Sequence, residues 1–283
     1  MFLKKIINSI ADAGKDLLTK AFTGQRNLST LLELSEDLIS YKGVASGIAI
    51  AREISETYKT LSVEDKKKFF QEIDKKLKPN MDLIEQKSIE FAKNKNKETL
   101  KELASLAEGN RQEFIRRMNM APNGTAFLVS MREDLLKIVL EDSTLKDLDE
   151  DFKHLFRSWF NPGFLKLEKI TWDTKAAILE RIIKYEKVHK IKNMDDLKRR
   201  LEEDRRFFAY FHPVLNDEPL IFVQVAFTQG LATSIQDIIK PKTDDKLKAD
   251  TATFYSISNC QQGLTSVTLG NFLIKRVVYE IQQ

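Results

Sequence analysis

TFYSISNCQQGLTSVTLGNFLIKRVVYEI, residues 253–281, is the stretch from which the fold can be read. Its first six residues alternate large β-formers with small polar ones, the pattern of a strand. A polar, glycine-containing turn follows over residues 259–270. Beyond it Phe272, Leu273, Ile274, Val277, Val278 and Ile281 recur at helical spacing. Strand, loop and helix in that order bring backbone N–H groups to the positive end of a helix, where phosphate or pyrophosphate can sit. The donors expected there are the amides of residues 265–271, with the side chains of Thr265, Ser266, Thr268 and Asn271 in support. The same spacing also fits a plain strand–helix connection, because a glycine pair such as Gly263 and Gly270 is weak evidence.

Upstream, Pro219 introduces LIFVQVAF over residues 220–227, a nearly unbroken apolar run whose length and β-branching predict a strand covered on both faces. Residues 164–170 and 205–211 read as two more strands. Residues 174–185 read as a capped amphipathic helix, residues 195–201 continue helically, and a lysine-rich polar stretch occupies residues 240–250. The texture changes near Trp159 and Asn161-Pro162-Gly163. Before that point helical periodicity dominates, over residues 28–39, 47–61, 63–77, 81–92, 97–107 and 110–118, with Ser62, Asn80 and Thr125 as capping candidates. The expected fold class is α+β: an all-α bundle over residues 1–156, then a mixed domain over residues 157–283.

The chain of 283 residues can bury a real core. Its 46 basic and 42 acidic residues are interleaved, so the net charge of +4 marks no stripe for nucleic acid. The single cysteine, Cys260, excludes an internal disulfide framework, and three scattered histidines lack zinc-ligand spacing. No run of apolar residues is long enough for a membrane span. The N-terminus is amphipathic through Phe2, Ile6, Ile7, Ile10, Leu17 and Leu18, without the features of a secretory signal, and reads as a first helix. A cytoplasmic location is expected, with import into an organelle left open.

Candidate chemistry is sparse. His212, before Pro213, is either a general base or a turn histidine, and the turn reading needs no partner. Ser256 and Ser258 share one strand face but have no histidine nearby in sequence. Cys260 is either activated by the helix end or packed. Met118, Met120 and Met131 read as packing, and Trp159 and Trp172 as residues where the domains meet. No triad, metal cluster, Walker loop or dinucleotide fingerprint is present.

The chain resembles the malonyl-CoA decarboxylases from about Lys42 onward. The resemblance is carried by YKGVASGIAIAREI (41–54), RRMNMAPNGTAFLVSMREDLL (116–136), HLFRSWFNPGFLKLEKITWDTKAAILERIIKYEKVH (154–189), FFAYFHPVLNDEPLIFVQVAFT (207–228) and FYSISNCQQGLTSVTLGNFLIKRVV (254–278). It implies an N-terminal helical domain used for oligomerisation and a catalytic domain of the acetyltransferase-like (GNAT) fold. It also implies a homo-oligomeric lyase that turns malonyl-CoA into acetyl-CoA and CO2 with no metal or organic cofactor, the CoA thioester being substrate. The family's acyl-CoA segment falls on Thr265, Ser266, Val267, Thr268, Leu269, Gly270 and Asn271. Acetyltransferases proper carry Arg/Gln-x-x-Gly-x-Gly/Ala there, and only Gly270 agrees. The family's catalytic serine and histidine fall beyond Gln283, so no catalytic residue is assigned within the chain. The expectation is the N-terminal portion of such an enzyme, with little activity alone, its last strand lacking a neighbour, its last helix losing cover and its solubility reduced. The alternative is a non-catalytic CoA-binding or assembly subunit.

Overall fold

The computed structural model describes residues 25–40, 43–239, 249–267 and 270–282. The expected first helix near the N-terminus and most of the lysine-rich stretch lie outside the described residues. The chain divides into two compact units, Met1–Phe156 and Arg157–Gln283.

Seven helices build the first unit among the described residues: α1 (Leu28–Ser40), α2 (Val44–Thr60), α3 (Val63–Leu77), α4 (Met81–Lys93), α5 (Lys97–Asn119), α6 (Gly124–Val139) and α7 (Lys146–Trp159), the last running on into the second unit. Their apolar faces meet in a core around Leu31, Ile54, Phe69, Phe114, Leu128 and Phe152. Tyr58 stands edge-on to Phe69, Phe70 and Phe127, with centroids 5.8, 6.0 and 5.5 Å away. Met118 and Met131 join this core, whereas Met120, expected to pack, is 48% exposed at the C-cap of α5.

Ser62 and Asn80 cap as expected, accepting from the N–H groups of Asp65 and Leu83. Thr125 does not cap. Asn123, at φ 60°, precedes α6, and the Thr125 hydroxyl instead donates to Asn119 Oδ1 at 2.6 Å. A Cβ at Gly124 would lie 2.4 Å from Met118 O. Only glycine allows so tight a turn, and the helix therefore starts earlier than the threonine suggested. Gly109, at φ 68° and ψ 171°, interrupts α5 between the two segments that were read separately.

The second unit is a sheet with helices on both faces. It contains β1 (Lys166–Ile170), α8 (Ala176–Tyr185), α9 (Met194–Arg200), β2 (Arg205–Phe211), β3 (Pro219–Thr228), α10 (Ile235–Ile239), β4 (Thr251–Asn259) and α11 (Gly270–Gln282). Strand order is β1-β2-β3-β4, antiparallel throughout. The first eight residues of β3 are buried, as its unbroken apolar run requires. Ile178, Leu179, Ile182 and Leu197 of α8 and α9 pack with Phe207, Ala209, Phe211 and Phe222 on one face. Tyr210 alternates to the other face, where its hydroxyl donates to Leu273 O at 3.1 Å.

Several sequence expectations shift here. The first strand begins at Lys166 rather than 164, because Asn161 accepts from Gly163 N and holds a 3-10 turn over Pro162–Phe164. Thr174 closes a turn by accepting from Thr171 N at 3.0 Å, and α8 starts at Ala176 with no side-chain cap. Trp172 is 48% exposed, with Lys198 Nζ 5.9 Å from its ring centroid. Leu273 and Val277 are buried, so α11 keeps cover on that stripe while Val278 and Tyr279 face outward.

Candidate functional site

β4 delivers the chain to the corner between strand and helix. Gln224 pairs with Ser256 and Val225 with Phe254, so Tyr255 is the extra residue of a bulge one turn of strand before the corner. Cys260 follows with its N–H on Leu220 O at 2.8 Å, and Gln261 Nε2 donates to Pro219 O at 3.0 Å. A 3-10 turn over Gln262–Leu264 then folds the loop back on itself. The N–H and hydroxyl of Thr265 both donate to Gln262 O, at 3.0 and 2.7 Å, and Val267 N donates to Leu264 O at 3.0 Å. Two of the amides expected to face a ligand are thus engaged within the loop. Ser266 is exposed and sits at φ 64°, the left-handed region, which turns the chain towards α11. Thr268 and Leu269 lie outside the described residues; Gly270 and Asn271 open α11.

Just upstream the inward face of β4 meets a buried carboxylate that sequence reasoning missed. Glu186, the C-cap of α8, is 3% exposed. Its Oε1 accepts from the N–H groups of Val188 and His189 at 2.8 and 2.9 Å and from Ser258 Oγ at 3.2 Å. Its Oε2 accepts from Ser256 Oγ at 2.8 Å and from Gln224 Nε2. Gln224, fully buried on β3, turns its Oε1 to Tyr255 Oη at 2.8 Å and Arg200 at 3.3 Å. Arg200 is held in turn by Asp196 and Lys190 O. Five donors from three elements therefore converge on one carboxylate. The usable signal was one glutamine inside LIFVQVAF and two serines on one strand face: inward polar groups need a partner.

The other candidates separate into packing and turn roles. Burial pushes the Cys260 thiol well up, with the Glu218 and Glu186 charges adding to it, so it is an inert packing residue. Burial likewise raises Tyr255 to about 12. His189 Nε2 lies 3.0 Å from Tyr255 O. His212 contacts Trp159 O through Nε2 at 3.1 Å and accepts from Val214 N through Nδ1 at 3.3 Å, which makes it a turn residue. A cleft of ≈ 700 Å³ opens beside Arg200, lined by His189, Lys190, Lys192, Asn193 and Ile235 among others. Among the described residues no three His, Cys, Asp or Glu side chains cluster as metal ligands, and no helix is long and apolar enough to cross a membrane.

Comparison with known proteins gives a consistent result. Residues 77–160 match the family described as Malonyl-CoA decarboxylase N-terminal domain, and residues 163–283 the Malonyl-CoA decarboxylase C-terminal domain. The mitochondrial malonyl-CoA decarboxylase of Anser anser anser is 42% identical over 168 residues, 56% of this chain and 33% of that protein. The crystal structure of malonyl-CoA decarboxylase from Rhodopseudomonas palustris superposes with a TM-score of 0.84 at 45% identity, covering 90% of this chain and 63% of the other. That from Agrobacterium vitis gives 0.83 at 43%, covering 89% and 62%. The matched region thus spans about a third of the curated relatives' length and about three fifths of the solved chains.

Proposed function

Because the chain belongs to the malonyl-CoA decarboxylase family, we propose that it supplies the helical and CoA-gripping parts of an enzyme converting malonyl-CoA to acetyl-CoA and CO2. The observation that carries this reading is the corner itself. A bulged strand leads into a self-bonded loop, and the helix after it opens at Gly270, within the stretch to which the resemblance assigns acyl-CoA, Thr265 to Asn271. Loss of CO2 from a malonyl thioester leaves an enolate, whose oxygen needs donors and whose carbon needs a proton. Among the described residues no serine hydrogen-bonds a histidine: Ser256 and Ser258 donate to Glu186, and His189 and His212 contact backbone carbonyls. In this reading the corner holds the thioester, and none of these four side chains forms the serine–histidine pair that would handle the proton. The same proposal gives the helical unit to homo-oligomer assembly, and the enzyme no metal or organic cofactor.

Calorimetric titration with CoA, alongside CO2 release from malonyl-CoA, tests this. Saturable binding is expected, with turnover at least about a thousandfold below that of a relative that carries a cooperating serine–histidine pair. Absence of CoA binding overturns the corner as the substrate grip. Brisk CO2 release shows that these residues carry their own acid and base.

A further inference from the structure

We propose that Glu186 is a positioning residue of the acyl-CoA corner, its buried carboxylate locking the bulge and final residues of β4 against β3 and the α8–α9 connection. This rests on the reading of residues 265–271 as the CoA grip. The argument is one of connectivity. Ser256 and Ser258 face inward near the end of β4, one on each carboxylate oxygen, and the loop to the corner starts two residues on, at Cys260. Gln224 holds Oε2 from β3, and Val188 and His189 hold Oε1 from the connection. Gln224 reinforces the same junction from β3, donating to Glu186 and accepting from Tyr255 of β4. The lock is also directional. Gln224 must aim its amide N–H at Glu186, because turning it over would aim that N–H at Arg200, which cannot accept.

That directionality supplies the test. In Glu186→Gln the new amide meets the Gln224 amide donor to donor. In the exchange Glu186→Gln/Gln224→Glu the new amide donates to the new carboxylate, which accepts from Arg200 and Tyr255, while Ser256 rotates to accept. The amide, the carboxylate and the N–H groups of Val188 and His189 are all satisfied again. CoA affinity by titration and amide hydrogen exchange over residues 255–267 are read for both variants. Glu186→Gln is expected to weaken CoA roughly tenfold and to speed exchange there by a similar factor, the loss of one charge-assisted bond. The exchange variant is expected to return both to within about threefold. Ile170→Ala, a core truncation on the far strand β1, controls for general loss of stability and should leave both readouts unchanged while lowering the melting midpoint. Ser258→Ala removes a donor without stranding an acceptor's other partners, so it folds even if the glutamine variant does not, and should weaken CoA about threefold.

Unchanged affinity and protection in Glu186→Gln or Ser258→Ala overturns the proposal, as does a folded exchange variant that restores neither. An Ile170→Ala effect equal to that of Glu186→Gln reduces Glu186 to ordinary stability and overturns it too. If the unmodified chain binds no CoA, the CoA reading falls, and hydrogen exchange alone judges whether Glu186 locks the corner.

Discussion

Arg111 in the helical unit and Glu186 in the sheet unit both stand where three elements meet, yet they are satisfied in opposite ways. Arg111 of α5 places Nη1 2.6 Å from Asp74 of α3 and Nε 2.7 Å from Asp151 of α7. The second contact is off the line of the N–H, an ion pair rather than a directed hydrogen bond. All of these partners are side chains, and Asp74 keeps some access to water. Glu186 has neutral donors, two of them backbone N–H groups, and almost no exposure. A charge matched by charges can be removed together with its partners. A charge held by backbone donors cannot, because those donors remain whatever the side chains become.

The largest expected effect follows from that difference. Glu186→Leu strands the N–H groups of Val188 and His189 and the Gln224 amide, each costing about 1–3 kcal/mol, so the sheet unit loses more than about 4 kcal/mol. Both tryptophans, Trp159 and Trp172, belong to this unit, so their fluorescence follows its urea unfolding separately from the far-ultraviolet helix signal. A fluorescence midpoint unmoved by the substitution breaks the comparison. A smaller effect is expected in the other unit. Arg111→Met should cost about 2–3 kcal/mol, below the fully buried case because one of its two carboxylates, Asp74, reaches water, and adding Asp74→Asn and Asp151→Asn should recover more than half. If the triple variant is no better than the single one, the ion pairs are not interchangeable with neutral contacts, and the two units behave alike.

The same distinction explains what could be read from the sequence. Helices α3 and α4, and strands β2 and β3, follow from periodicity because burial of one face or of both leaves a regular trace. Segments such as Arg205–Phe211 were legible to the residue. Thr125 and Thr174 were misplaced because a threonine near a helix start can bond its own turn equally well, and close backbone approach at Gly124 decided the matter in three dimensions. Glu186 was invisible because IIKYEKVHK reads as a solvated helix end, and the donors that enclose it come from residues 38 to 72 positions away as well as from its own turn. The strand–loop–helix corner was legible as an order of elements. The internal bonding of Thr265 and Val267 was not, since it depends on the 3-10 turn over Gln262–Leu264.

The smallest effect tests whether the sheet unit treats a buried base as it treats a buried acid. Burial lowers the pKa of His212 below 6.5, against a raising contribution from its bond to Trp159 O. The geometry agrees: Nε2 carries the proton towards Trp159 O, and Nδ1 must stay bare to accept from Val214 N. A base whose folded pKa is depressed is protonated first in the unfolded chain as pH falls. Its contribution to stability is therefore complete above pH 6.5 and declines as pH drops through the folded value. On heating, the fluorescence-detected melting midpoint should fall as pH drops below 6.5 and level off once the folded value is passed. His212→Gln, which keeps an acceptor for Val214 N, should flatten that part of the profile while leaving the midpoint at pH 8 within a few degrees. An equally steep decline in the variant assigns the acid sensitivity to other groups. A flat profile in the unsubstituted chain shows that His212 opens to water before it titrates.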